Sequence, residues 1–129
     1  MSQWVMLYLL TFVGSSLGGL VRFLVCRRIA GSIGERFPVG TMMVNATGAF
    51  LIGVVWGLPW EVSAGGSNHM RDFLTFGFLG GYTTVSTFTL QTLDLFREGE
   101  WTSATLNLFG SFLLCLGAVF AGYASVGTW

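Results

Sequence analysis

Four long apolar segments dominate the pattern of the 129-residue chain, and short stretches between them hold most of the charged residues. A helix needs about 20 consecutive apolar residues to cross the hydrocarbon core of a bilayer. The segments, at approximately residues 4–25, 41–60, 70–96 and 101–126, are each long enough for one crossing. Hydrophobic residues make up 53% of the chain and charged residues only 9%, far below the level typical of soluble domains. The pattern predicts an all-α membrane protein, with one four-helix transmembrane domain over residues 1–129.

Small and polar residues interrupt the third apolar segment between Gly77 and Thr92, in the run GFLGGYTTVSTFTLQT. This run holds three glycines and six Ser or Thr hydroxyls within sixteen residues. At membrane depth, non-helical backbone persists only where its polar groups face protein, water or an ion. Gly77, Gly80 and Gly81 therefore predict a break near the middle of the third helix. At such a break the carbonyl groups of Gly80 and Thr83 could face a cation.

The second segment carries an amide within an apolar stretch, which needs a hydrogen-bond partner there. Asn45 either bonds to a neighbouring helix or donates an N–H group into a pore. Spacings of four, three and four residues separate Thr41, Asn45, Gly48 and Ile52, so we predict that these residues share one face of the second helix.

The fourth and first segments also carry polar groups. Ser103, Asn107 and Ser111 recur every four residues, which favours a water- or ion-facing edge; an interhelical Asn with backbone-bonded serines is the alternative. Arg22 lies inside the first apolar run. It either extends to the membrane interface or donates to a buried backbone group or an anion.

Charge and motifs exclude several classes of protein. Six arginines balance six acids, so the formal net charge is zero and no nucleic-acid partner is indicated. No HExxH, CxxC, GxGxxG, P-loop or nucleophile-elbow motif occurs, so the sequence predicts that the protein is not an enzyme.

Four motifs, one in each segment, run in order along nearly the whole chain: GSSLGGLVRF, PVGTMMVNATGAFLIG, GFLGGYTTVSTF and NLFGS. Together they resemble the CrcB/Fluc family of small fluoride channels. The resemblance implies a passive, selective channel in the inner or plasma membrane that exports cytoplasmic fluoride for detoxification. It implies an antiparallel, dual-topology homodimer. It also implies a structural Na⁺ at the dimer centre, held by the backbone carbonyls of Gly80 and Thr83.

The same resemblance implies a set of residues along the fluoride path. A dehydrated anion would be carried by the Asn45 amide, Ser and Thr hydroxyls, and the ring edge of Phe88, which carries partial positive charge. Arg22 would lie in an anion vestibule. The chain departs from the family at Val85, where a first pore phenylalanine is expected, and at Gln91, where a glutamate is common. The full expected pore set is Thr41, Asn45, Thr84, Val85, Ser86, Thr87, Phe88, Gln91, Asn107 and Ser111.

Two alternatives remain open. Up-and-down threading puts four arginines on one side of the membrane and only Arg71 on the other, which biases orientation under the positive-inside rule. Together with the missing pore phenylalanine at Val85, this bias fits one half of a heterodimer with a paralogous chain. The other alternative is a small proton-coupled multidrug exporter. Such a transporter needs a membrane-embedded carboxylate, and the first segment has none.

Overall fold

The computed structural model describes residues 2–34, 36–61 and 68–126, and among these residues it contains helices and no strand. The helices within Trp4–Ile33, Val39–Gly57 and Trp101–Val126 are long and apolar enough to cross a membrane, which indicates a multi-pass membrane protein. In chain order the elements are α1 (Gln3–Ile33), α2 (Val39–Gly57), α3 (His69–Asp72), a π-helical segment (Phe73–Leu79), α4 (Gly80–Tyr82), α5 (Val85–Arg97) and α6 (Trp101–Val126).

The third predicted segment is a series of short elements instead of one long helix, and its non-helical residues are not the expected ones. Gly77 lies in the π-helical segment, and Gly80 and Gly81 lie in α4. The backbone is extended at Thr83 and Thr84, with ψ angles of 158° and 123°. The prediction that the glycines form the break is therefore wrong: all three are helical, and the extended backbone begins two residues after Gly81.

The interruption of the helix at Thr83 and Thr84 has a local cause. The N–H group of Thr83 still donates to the Leu79 carbonyl at 3.0 Å, as a helix requires. The Thr84 side chain instead accepts from the backbone N–H of Thr87 at 3.2 Å. Threonine is a favoured N-cap residue because its hydroxyl satisfies an otherwise unpaired N–H group. Thr84 thus begins α5.

The glycines of this region bring backbones into close contact. A Cβ atom at Gly81 would overlap the backbone of Ser15 on α1, and one at Gly77 would lie 3.0 Å from the Leu10 carbonyl oxygen. Close approach through small residues is the usual way in which membrane helices pack. These glycines therefore hold α4 and the π-helical segment against α1.

A second close contact joins α2 to α6. A Cβ atom at Gly53 would overlap the Val119 carbonyl oxygen, and one at Gly122 would overlap that of Phe50. The buried apolar residues of the core lie between α2 and the third segment; they are Val44, Val55, Leu79 and Tyr82.

Helix α1 is longer than predicted. The predicted segment ended near residue 25, whereas the helix ends at Ile33, which makes Arg27 and Arg28 helical residues and not loop residues. Its 31 residues correspond to about 46 Å at 1.5 Å per residue, more than the thickness of a hydrocarbon core. The C-terminal turns of α1 therefore extend toward the membrane surface.

Candidate functional site

The side chain of Asn45 holds the extended backbone between α4 and α5. Its Nδ2 donates to the Thr84 carbonyl at 2.9 Å, and its Oδ1 accepts from the Thr84 N–H at 2.8 Å. Both backbone groups of Thr84 thus have partners although this residue lies outside any helix. A backbone break in an apolar environment is stable only if its polar groups are satisfied, and one amide does this for both. The second hydrogen of Nδ2 is not used in this pair of bonds.

A groove of about 700 Å³ lies beside Asn45, between α2, α5 and α6. We call it the apolar groove because Asn45 and Ser111 are the strongly polar residues in an otherwise apolar wall. Phe88 and Val85, three residues apart on α5, both line it, and Val85 is 78% exposed. Its lining residues are Asn45, Ala49, Ile52, Val85, Phe88, Leu108, Phe109, Ser111, Phe112, Cys115, Leu116 and Val119.

A second cavity, of about 820 Å³, lies at the end of the molecule where α1 ends and α2 begins. We call it the Arg27 cavity. The predicted pore residues Thr41 and Gln91 both line it, and Oε1 of Gln91 is buried with no hydrogen-bond partner in the described part of the chain. Its lining residues are Phe23, Cys26, Arg27, Ala30, Gly31, Gly34, Phe37, Pro38, Gly40, Thr41 and Gln91.

The two cavities are one helical turn apart on the same two helices. On α2, Thr41 lines the Arg27 cavity and Asn45, four residues on, lines the apolar groove. On α5, Gln91 lines the Arg27 cavity and Phe88, three residues before it, lines the apolar groove. Residues three or four apart share a helical face, so the residues that line the two cavities lie about one turn, 5.4 Å, apart along each helix.

Arg22 contacts the non-helical backbone and does not line either cavity. Its Nη1 donates to the Thr83 carbonyl at 3.0 Å. This is one of the two roles left open for Arg22, donation to a buried backbone group. The positive charge at the Arg27 cavity comes from Arg27, which the sequence analysis did not select because it placed this residue in a loop. Its spacing of four from Phe23 could have identified it as part of the same helical face.

Several expected pore residues have structural partners. The hydroxyl of Thr84 lies 3.1 Å from that of Ser86 and 3.2 Å from that of Thr87, so these side chains form the cap of α5. Ser86 and Thr87 are exposed on the isolated chain and line neither cavity.

Asn107 is not at a water-facing edge, contrary to the expectation for the stripe on the fourth segment. It is 1% exposed, and its Nδ2 donates to the Thr92 hydroxyl on α5 at 2.8 Å. Ser111 donates to Oδ1 of Asn107 at 3.3 Å. Asn107 therefore joins α6 to α5, as in the alternative of an interhelical amide, whereas Ser111 lines the apolar groove.

Comparison with known proteins decides the family. Residues 9–123 match the family described as CrcB-like protein, Camphor Resistance (CrcB). The chain belongs to the CrcB family. It is 44% identical over 119 residues to fluoride-specific ion channel FluC 3 of Brucella suis, an alignment that covers 92% of this chain and 90% of the relative.

Other relatives of this CrcB protein are equally similar along their length. The chain is 43% identical to fluoride-specific ion channel FluC of Opitutus terrae, covering 94% of this chain and 93% of the relative. It is also 43% identical to FluC of Thermus thermophilus, with coverage of 90% and 91%. The resemblance found in the motifs is thus confirmed over the whole domain.

Loss of the Arg22 contact is expected to destabilise the protein. Arg22→Ala leaves the Thr83 carbonyl without its charged donor, and a hydrogen bond to a charged group contributes about 1.5–3 kcal/mol. We expect the thermal unfolding midpoint in detergent to fall accordingly. Arg22→Gln keeps an N–H donor but no charge, so we expect its unfolding midpoint to lie between those of the unaltered protein and of Arg22→Ala. An unchanged midpoint for Arg22→Ala would contradict the contact.

Proposed function

We propose that this protein is a fluoride-selective ion channel that lets the anion leave the cytoplasm passively. The family and the names of its relatives support the ion, and channels of this family are not enzymes. The observation that carries the proposal within the molecule is the spacing of lining residues on α2 and α5. Thr41 and Gln91 line the Arg27 cavity, and Asn45 and Phe88, about one turn away on the same helices, line the apolar groove.

The apolar groove has the chemistry that a dehydrated fluoride ion requires. Fluoride is small and strongly hydrated, so its water must be replaced by closely placed donors. The free N–H of Asn45 and the positive ring edge of Phe88 are such donors, and neither is a fixed cation that would trap the ion. The Ser111 hydroxyl would become a third donor on turning away from Oδ1 of Asn107, to which it donates. A low-dielectric wall strengthens each of these interactions.

Arg27 contributes at the wider cavity and not in the groove. A positive charge there raises the local concentration of anions before they lose water. The membrane potential then supplies the driving force, about 2.3 kcal/mol per charge per 100 mV. Export of fluoride that entered as neutral HF would protect the cell, and this role places the channel in the inner or plasma membrane.

We further propose that the short elements from α3 to α5 together form an interrupted third crossing, which gives four spans in all. The apolar groove is open along one side of the isolated chain, because Val85 and Phe112 are largely exposed. A second, antiparallel chain would close that side and complete the path.

The expected Na⁺ fits the carbonyls available at the interruption. Because the Thr84 N–H donates to Asn45, the Gly80 carbonyl lacks the partner that a continued helix would give it, and Gly80 is exposed. The Thr83 carbonyl accepts one hydrogen bond from Arg22 and has a second lone pair. When bound, Na⁺ would supply positive charge that holds these carbonyls together at the centre of the dimer.

A fluoride-electrode assay on proteoliposomes tests the function. We expect purified protein to release fluoride from loaded vesicles when a potassium ionophore and K⁺ gradient set the potential, and to release no chloride under the same conditions. Absence of fluoride release from protein that remains folded and dimeric would overturn the channel. Coupled exchange of protons for a drug would instead indicate the multidrug exporter, which needs a membrane-embedded carboxylate. In the described part of the chain, the buried acid Asp72 lies 3.6 Å from Arg71 and does not line the groove.

The two natural cysteines test whether the apolar groove conducts. Cys115 lines the groove and Cys26 lines the Arg27 cavity. A thiol-bonded silver ion at Cys115 would put bulk and charge into the narrow path, so we expect at least about 90% of fluoride efflux to be lost. Cys115→Ser should abolish this block, whereas Cys26→Ser should leave it. Silver block that persists in Cys115→Ser and is lost in Cys26→Ser would put the narrow part of the path at the Arg27 cavity and not in the groove.

A further inference from the structure

The wall that α6 contributes to the apolar groove has an aromatic ring near its centre. The groove-facing stripe of α6 follows spacings of four, three and four residues, and its members are Leu108, Phe112, Cys115 and Val119. Phe112 is the aromatic member of this stripe, and it is 64% exposed on the isolated chain. Its ring is therefore not enclosed in the chain's own core and can turn an edge into the groove.

The contacts between α2 and α6 show that these two helices run in the same direction. A Cβ atom at Gly110 would lie 3.9 Å from Cε of Met42. Further along, a Cβ atom at Gly122 would lie 3.1 Å from the Val54 nitrogen. Each helix advances by twelve residues between the two contacts, so the pairing of positions on the two helices stays constant along the groove.

This pairing places Phe112 close to the depth of Asn45. Phe112 follows Gly110 by two residues, and Asn45 follows Met42 by three. At 1.5 Å per residue, the two side chains differ in depth by about 1.5 Å. Phe109, which also lines the groove, is three residues before Phe112 and lies about 4.5 Å away along the helix axis.

Phe88 reaches the same depth on α5. The short turn between α5 and α6 makes these helices run in opposite directions. Nδ2 of Asn107 donates to the Thr92 hydroxyl at 2.8 Å, which pairs these two positions. Phe88 is four residues before Thr92 and Phe112 is five residues after Asn107, so the depths of the two rings also differ by about 1.5 Å. The Asn45 amide and both rings therefore lie at one level of the groove.

We propose that Phe112 is a pore residue of this chain. Its ring edge and that of Phe88 contact the dehydrated fluoride ion, because an aromatic ring carries partial positive charge along its edge. Val85, three residues before Phe88, lines the same groove but offers only an aliphatic side chain. The ring of Phe112 takes the place of an aromatic side chain at Val85. This role rests on the proposed function, in which fluoride passes through the apolar groove.

Replacement of the ring by an aliphatic side chain tests this role. Phe112→Leu leaves an apolar side chain like those of Leu108 and Leu116 on the same wall, and it removes the ring edge. We expect fluoride efflux per reconstituted dimer, measured by fluoride electrode, to fall roughly 3- to 10-fold, the size of an aromatic edge contact. Phe120→Leu is the matched control, because Phe120 is on the same helix, is 65% exposed and lines neither cavity. This variant should keep the flux of the unaltered protein.

A second substitution tests whether the ring of Phe112 replaces one at Val85. Val85→Phe in the Phe112→Leu chain returns a ring to the same groove, and we expect it to restore most of the lost flux. Efflux from Phe112→Leu equal to that of the unaltered protein, or an equal loss in Phe120→Leu, would overturn the role of Phe112. A loss that Val85→Phe does not restore, or loss of the dimer on size-exclusion chromatography, would assign Phe112 to packing instead of conduction. Absence of efflux from the unaltered protein would reject the proposed function itself, whereas efflux that is insensitive to Phe112→Leu rejects only the role of this ring.

Discussion

Replacement of Asn45 by alanine is expected to abolish most fluoride conduction and to destabilise the fold. The Thr84 N–H and carbonyl lose both partners while Thr84 is 7% exposed. Each buried group left unpaired costs about 1–3 kcal/mol, so the free energy of unfolding should fall by roughly 2–6 kcal/mol. Loss of the free N–H donor to a dehydrated anion should raise the conduction barrier by about 2–3 kcal/mol, which lowers flux roughly 30- to 150-fold.

A matched variant separates these two effects. Asn107→Ala also removes a buried helix-to-helix amide bond, to Thr92, but Asn107 does not line either cavity. We expect it to lower the unfolding midpoint by a similar amount and to keep most of the flux per folded dimer. Flux should be measured by fluoride electrode on protein quantified by size-exclusion chromatography. Equal flux loss in both variants would assign the effect of Asn45 to folding alone.

The role of Asn45 shows what could be predicted from one sequence. Its apolar surroundings indicated that its amide needed a partner, and the spacing of four placed it one turn from Thr41. The partner could not be predicted, because Thr84 is 39 residues away and no local pattern joins the two. The sequence analysis left open whether Asn45 bonds to a helix or donates into a pore; one amide has enough hydrogens for both.

The position of the interruption was wrong for a related reason. Glycine has two uses in a membrane helix, conformational freedom and close packing, and the sequence does not distinguish them. Gly77 and Gly81 are used for close packing against α1. The residues that leave the helix are threonines, because a threonine hydroxyl can cap the next helix and a distant amide satisfies its backbone.

The limits of the helices were predicted unequally. Helix α6 has the limits of the predicted segment, since Trp101 follows a turn and the apolar pattern is continuous to Val126. The end of α1 was misplaced by eight residues because a charged pair was interpreted as a loop. A helix that passes the hydrocarbon boundary can carry arginines on its last turns, as their charges reach the interface. Because the end of α1 was misplaced, the Arg27 cavity was not predicted either.

Replacement of Gly18 by alanine is expected to be strongly disruptive although it adds a single methyl group. Gly18 is buried, and a Cβ atom there would overlap the Phe78 carbonyl oxygen and lie 2.7 Å from the Tyr82 nitrogen. Both are backbone atoms of helices and cannot move aside as a flexible side chain can. We expect a loss of about 1–3 kcal/mol or more in unfolding free energy, from overpacking. The displaced α4 should also disturb the interruption at Thr83 and Thr84, and with it fluoride flux.

The neighbouring Gly19 provides the control for Gly18, because the two share a helix and differ in what faces them. A Cβ atom at Gly19 would meet nothing closer than 3.9 Å. Gly19→Ala should therefore gain the higher helix propensity of alanine, up to about 1 kcal/mol, and unfold at the same or a higher temperature. Opposite signs of the two shifts, measured by thermal unfolding in the same detergent, are the expected result. Equal shifts of the unfolding temperature in the two variants would mean that backbone contact with α4 does not limit the packing of α1. The close approach of these helices, which positions Arg22 beside Thr83, would then lose its explanation.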